Sequence, residues 1–236
     1  MTESTTDVPP PPLIELRDIT KTFPGTPPVT ALTGVTASVA PGEMVAVTGS
    51  SGSGKSTLLN VLGLLDSPTT GTHLLNGVDV TSLSEQDRTS VRARELGFVF
   101  QSFHLIPYLD CVRNVMVPLI HQNHPRHERR ALAVQALERV GLGHRLSARP
   151  GTLSGGEQQR VAVARAIVHE PRIVLCDEPT GNLDSANTDQ VVALLRDLVT
   201  EGNAVVVVTH EPDVAQRADR ILQVRDGRIQ AAPHAP

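Results

Sequence analysis

The chain has 236 residues, 39% hydrophobic and 19% charged, with a formal charge of −4 and a pI near 6.1. That is long enough for a sizeable core and too apolar for disorder throughout, and its acidic balance argues against a partner held mainly through a nucleic-acid phosphate backbone. Two cysteines, Cys111 and Cys176, cannot build a disulfide framework, no apolar run approaches the roughly 18 to 20 residues of a membrane span, and no basic-then-apolar leader is visible, so an integral membrane protein and a secreted disulfide scaffold are excluded.

Residues 1–12 are polar and then proline-only, and are expected to form a disordered tail ahead of a domain over 13–236. Leu13–Phe23 alternates apolar and polar residues, as a half-buried strand does, and Leu32–Val39 reads as a second strand. Met44–Thr48 is a short buried strand that runs into glycines. A helix is expected over Thr57–Leu65, then a hairpin over Leu74–Val80 turning at Asn76-Gly77. Helices are expected over 84–96 and 127–140, the second with Ala131, Val134, Leu137 and Val140 on one face. Phe98–Phe100, Ile173–Cys176 and Ala204–Thr209 are apolar runs suited to strands, the last two to parallel strands buried on both faces. A last hairpin turns at Asp226-Gly227 between Ile221–Val224 and Arg228-Ile229.

Gly49-Ser50-Ser51-Gly52-Ser53-Gly54-Lys55-Ser56 fits the phosphate-loop pattern G-x-x-x-x-G-K-[ST]. It lies between a strand and a helix beginning at Thr57, the context that pattern requires, which makes a merely flexible Gly/Ser loop a poor alternative. Glycines let backbone N–H groups surround phosphate oxygens, Lys55 brings a point charge to the β and γ phosphates, and the Ser56 hydroxyl suits Mg²⁺. Asp177 and Glu178 end an apolar strand, and strand alternation would point them differently: Asp177 to the Mg²⁺ shell, Glu178 to an attacking water as general base. Leu153-Ser154-Gly155-Gly156-Glu157-Gln158 precedes a helix expected over Gln159–His169. Ser154 and Glu157 have capping-box spacing, but a cap does not require two glycines, whereas a second anion-binding helix start does.

Leu-Ser-Gly-Gly-Glu resembles the signature of ATP-binding-cassette (ABC) ATPases, and the likeness covers nearly all of the chain after residue 12, motifs in the family's order. The resemblance implies an α/β fold: a P-loop NTPase (RecA-like) core with an antiparallel β subdomain and an inserted α-helical subdomain, here about 97–160. It implies ATP and Mg²⁺ as ligands, and a head-to-tail homodimer or paired cassette in which each ATP meets the phosphate loop of one subunit and Ser154, Gly155, Gly156 and Glu157 of the other. Residue by residue, Phe23 matches the adenine-stacking aromatic, Gln101 the glutamine that contacts Mg²⁺ and senses the membrane partner, Asp184 the dimer-contact loop and His210 the switch histidine on the γ-phosphate. Glu157 stands where many relatives have glutamine, Cys176 where alanine is frequent and Glu211 where aspartate is common, and none of these removes a catalytic group.

Pro179-Thr180-Gly181-Asn182-Leu183-Asp184 resembles the lipoprotein-release and macrolide-exporter branch, which implies an ATPase subunit on the inner face of the cell membrane, cytoplasmic and held there by a separate permease. Export, lipoprotein release and mechanotransmission all remain open, and no nucleic acid is implied. The rival is an ABC ATPase acting on ribosomes or DNA. Such proteins usually fuse two cassettes or insert long arms, and neither is present. The segment Phe103–Leu109 is apolar, carries the only tyrosine, Tyr108, and is expected to line the groove that receives the permease. His121, His124 and His127 invite a metal site, but Pro125 interrupts the helix that would align them.

Overall fold

The computed structural model describes residues 11–230, so all but the last two residues of the tail expected over 1–12 lie outside the described residues. In chain order, β1 (Ile14–Phe23) and β2 (Val29–Val39) are followed by β3 (Met44–Thr48), α1 (Lys55–Leu62), β4 (Thr70–Leu75) and β5 (Val78–Asp79). Then come α2 (Glu85–Glu95), β6 (Leu96–Phe100), α3 (Cys111–His121), α4 (Arg126–Arg139) and α5 (Gly155–Ile167). The chain continues through β7 (Ile173–Asp177), α6 (Ser185–Thr200), β8 (Ala204–Val208), the short α7 (Pro212–Ala215), β9 (Arg220–Arg225) and β10 (Arg228–Gln230). No helix among the described residues is long and apolar enough to cross a membrane.

Two sheets result. One is antiparallel, in the order β2-β1-β4-β5. The other runs β10-β9-β3-β8-β7-β6 and is parallel except for the β9–β10 hairpin. The apolar runs explain the second sheet's place. On β7, Ile173 and Leu175 join one core, while Val174 and Cys176 join another on the opposite face. β8 divides in the same way, Ala204, Val206 and Val208 against Val205 and Val207. The first core is closed by α1 and the antiparallel sheet through Leu58, Val61, Ile14 and Leu16. The second is closed by α3, α4, α5 and α6 through Val115, Leu137, Val163 and Leu195. Each such fully buried aliphatic side chain contributes about 1.5–3 kcal/mol, which holds the two layers on the sheet.

Both expected hairpin turns form. Asn76 and Gly77, and Asp226 and Gly227, all have positive φ, as the tight turn between twisted strands demands. Gly227 does more than turn. A Cβ there would stand 2.7 Å from the Ala31 carbonyl oxygen, and one on Gly54 would stand 2.6 Å from the same atom. The hairpin turn, β2 and the phosphate loop therefore meet backbone to backbone. Gly227 N–H donates to Ser53 O at 2.9 Å and its carbonyl accepts from Thr33 N–H at 2.8 Å.

Several expectations shift. The buried face of α4 is Ala133, Ala136 and Leu137, with Val140 following, while Ala131 is exposed and Val134 only half-buried. The helix is rotated because it packs on both α3 and α5. Residues 97–100, expected at the start of the helical insertion, belong to β6 and pair with β7 in the central sheet. Helices α3 and α6 occupy stretches for which the sequence predicts no element.

Candidate active site

The phosphate loop lies between β3 and α1, and α1, like α4 and the short α7, begins without a side-chain cap. Helices α2, α3, α5 and α6 each start with a side-chain cap, from Ser84, Asp110, Ser154 and Asp184. α1 starts at Gly54, φ 109°, with no side-chain cap, so its first N–H groups face the loop. A Cβ at Gly54 would strike Ala31, so both conformation and space require glycine. The Lys55 ammonium donates to two consecutive carbonyls at the start of the loop, Gly49 O at 2.9 Å and Ser50 O at 2.8 Å.

Ala31, Ser51, Gly52, Gly54, Lys55 and Ser56 line a cleft of about 370 Å³, together with Thr57, Gln101, Asp177 and Glu178. The structure thus brings together the phosphate loop, the glutamine after β6 and the acid pair after β7. Both acids reach one cleft, contrary to the alternation expected of adjacent strand residues. The reason is that β7 stops at Asp177 and Glu178 turns left-handed, φ 47°. Burial, then the neighbouring Glu178 charge, pushes the Asp177 carboxyl up from its ordinary range, with Lys55 opposing. Ser56, Gln101 and Asp177 can each present an oxygen ligand to the cleft, a donor set suited to a hard divalent cation, whose charge would relieve the crowding of the two acids.

His210 follows β8. Its Nδ1 lies 2.9 Å from Glu178 Oε1, and its backbone N–H donates to Glu178 Oε2 at 3.3 Å. The hydrogen bond and charge of Glu178 raise the imidazole above its ordinary pKa. Gln101 is fixed by the turn after Glu178: Asn182 Nδ2 donates to its carbonyl, and a Cβ on Gly181 would stand 2.7 Å from its Nε2.

The remaining residues lie elsewhere. Ser154, Gly155, Gly156 and Glu157 do not line the cleft. Ser154 Oγ accepts from Glu157 N–H while Glu157 Oε2 accepts from Ser154 N–H, the reciprocal cap that their spacing suggested. Glu157 Oε1 meets Arg145 at 2.8 Å, so both carboxylate oxygens are engaged within the chain, and these bonds hold the acid below its usual pKa. The N–H groups of Gly155 and Gly156 are left at the helix start. Asp184 caps α6 by accepting from Asn187 N–H at 2.8 Å. Phe23 stands at the end of β1, 38% exposed, with Lys21 Nζ 4.8 Å from its ring centroid; it is an open aromatic face rather than a core residue. Ala31, whose carbonyl packs on Gly54, was missed; a backbone oxygen leaves no mark in a sequence.

A second concavity, a groove of about 570 Å³, runs between α2, β6, α3 and α5. It is lined by Leu65, Phe98, Phe100, Val117, Pro118 and His121 among others, not by Phe103–Leu109. In that segment Leu105 packs on the core and Tyr108 is 74% exposed.

Comparison with known proteins sets this geometry in context. A family model described as ABC transporter matches residues 32–181. The macrolide export ATP-binding/permease protein MacB of Brucella melitensis is 50% identical over 219 residues, covering 92% of this chain and 34% of that protein. The chain therefore spans about a third of the length of such relatives. The uncharacterized ABC transporter ATP-binding protein YvrO of Bacillus subtilis is 44% identical over 218 residues, covering 92% of this chain and 95% of that protein. Among solved structures, the dimeric post-hydrolysis state of the ATP-binding cassette MJ0796 bound to ADP and Pi superimposes with a TM-score of 0.84 at 40% identity, covering 92% of this chain and 96% of that one.

Proposed function

We infer the working of the site from one premise: the chain belongs to the ABC transporter family, as its ATP-binding, ATP-hydrolysing cassette. The convergence of Lys55, Ser56, Gln101, Asp177 and Glu178 on one cleft carries the reading. The N–H groups of Gly49, Ser50, Ser51, Gly52, Ser53 and Gly54, with those of Ser56 and Thr57, receive the phosphates. Lys55 exchanges the Gly49 and Ser50 carbonyls for β- and γ-phosphate oxygens. Phe23 offers its face to the adenine. Ser56, Gln101 and Asp177 would hold Mg²⁺, which when bound neutralises charge on the phosphates.

Glu178 orients the water and accepts its proton as the water oxygen bonds to the γ-phosphorus and the bond from that phosphorus to the β–γ bridging oxygen breaks. His210, held beside Glu178, stabilises the charge that develops on the γ-phosphoryl group. The start of α5, outside the lining of this cleft, serves a second copy or a paired cassette arranged head to tail, its Gly155 and Gly156 N–H groups meeting the partner's nucleotide. Closure of that dimer drives a permease at the inner membrane face, consistent with the ATP-binding/permease architecture named for relatives. The permease is assigned to the groove between α2, β6, α3 and α5, and the exposed Tyr108 is a second candidate contact outside its lining.

Glu178→Gln keeps the shape of the site and removes the base. Nucleotide binding is expected to persist while phosphate release falls by roughly 10²–10⁴-fold. Equilibrium ATP binding and a steady-state phosphate assay check both; wild-type turnover would remove Glu178 from the mechanism.

A further inference from the structure

Three of the buried polar side chains, Gln159, Thr180 and Thr209, gather around the turn that follows Glu178. Gln159 lies on α5, five residues beyond the Ser154 cap, and is fully buried. Its Nε2 donates to the Pro179 carbonyl at 2.6 Å. Its Oε1 is buried without a partner. A carbonyl can only accept, so this contact fixes which end of the amide carries nitrogen. An unpartnered buried oxygen is destabilising, and an apolar side chain of the same size would pack at this point without it. The amide is therefore poorly explained by stability and well explained by what its nitrogen holds.

What it holds is the carbonyl of the residue directly after a strained one. Glu178 is a non-glycine residue at φ 47°. Its N–H donates to Val208 O at 2.9 Å, tying it to β8, and its carbonyl accepts from Gly181 N–H at 3.2 Å. The Gln159 bond is the anchor on the far side, and the one that reaches in from α5. The next residue, Thr180, is also buried and donates its hydroxyl to Glu211 Oε1 at 2.7 Å. Glu211 N–H in turn donates to Thr209 Oγ1 at 3.0 Å, on the loop that carries His210. Residues 178–180 are thus framed by α5 on one side and the His210 loop on the other.

We propose that Gln159 is a positioning residue for hydrolysis, transmitting the placement of α5, and of the Ser154–Glu157 loop at its start, to the Glu178 carboxylate through the Pro179 carbonyl. This rests on Glu178 acting on the attacking water. At 2.6 Å the bond has little slack on one side and much on the other: a withdrawal of α5 by about 1 Å takes it beyond hydrogen-bonding range. The left-handed turn at Glu178 then loses one of its three backbone restraints, and the carboxylate loses its aim.

Gln159→Met in the full chain tests this, because it keeps length and volume and removes both the donor and the unpartnered oxygen. The thermal midpoint is expected to hold or rise, KM for ATP to stay within about twofold, and kcat to fall about tenfold. A purely structural role predicts the opposite split, a lower midpoint with wild-type kcat, and that result overturns the proposal. Gln159→Asn keeps the amide but withdraws it by one methylene. Should the methionine variant fail to fold, the asparagine variant is read alone: lowered kcat at unchanged KM supports the role, and wild-type kcat overturns it. Glu178→Gln, assayed alongside, separates the two levels. Wild-type turnover there removes the base and this link with it, whereas an inactive Glu178→Gln beside a fully active Gln159→Met removes the link alone.

Discussion

His73 shows how a single side chain can set the acid limit of this molecule. It lies on β4, packed under β1, and is almost wholly buried, with Nε2 unpartnered. Burial pushes its imidazole down to about 4, with Asp79 opposing weakly. The unfolded chain binds this proton near the ordinary value of about 6.5 and the folded chain does not until about 4. The contribution to stability is therefore full above about 6.5 and lost as pH falls towards 4. Between pH 7 and pH 5 the loss is about 2 kcal/mol. His73→Leu is expected to lack that decline, and urea midpoints for both proteins at the two pH values check it. The same scale shows what the sequence discloses about the site. Lys55, Ser56, Gln101, Asp177 and Glu178 are legible because their chemistry needs those side chains at those spacings, and they share one cleft. The left-handed turn at Glu178 and the buried tie from Gln159 are not legible. Both depend on backbone direction and on a contact across 20 residues, which no local pattern encodes.

Between elements, the contact of α5 with α6 is unusually close. A Cβ on Gly156 would lie 1.9 Å from Asn187 Oδ1 and 2.9 Å from Asn187 Cβ. Asn187 cannot swing aside freely, since Asp184 accepts from both its N–H and its amide, and Arg160 reaches its oxygen. Gly156→Ala is accordingly expected to destabilise by about 1–3 kcal/mol, the range for an overpacked core. Pairing it with Asn187→Ala should recover part of that loss, and a double-mutant cycle on chemical denaturation measures the coupling. This contact also explains a glycine that the sequence ascribed to phosphate binding alone. Strands were legible because β3, β7 and β8 are unbroken apolar runs between turn signals. α3 was not, since Val112, Val115, Val117 and Pro118 disfavour helix locally and packing on α4 and α5 overrides them. α6 is hidden differently: Asp184 serves both the dimer-contact motif and the helix cap, and the motif masks the cap.

At the scale of the whole molecule, the cleft and the apolar groove flank the same strand, β6, whose end carries Gln101. A partner seated in the groove would therefore press on an element that reaches the nucleotide. Charging the groove wall tests that arrangement: Leu65→Glu, at an exposed residue of the groove lining, is expected to leave ATP binding unchanged and to lower permease-dependent ATP turnover at least tenfold in reconstituted membranes. Loss of ATP binding as well would detach the groove from the permease. The β9–β10 hairpin carries a consequence of another kind. Viewed along the chain, Asp226-Gly227 is a short turn between two brief strands, the sort of place chosen for epitope tags and fusions. Its glycine is pressed on Ala31 and bonded to Ser53 O, forming the rear support of the phosphate loop. An insertion there would reshape the nucleotide pocket from behind, so labels and fusion partners belong at the outward Asn76-Gly77 turn, where a Cβ on the glycine meets nothing.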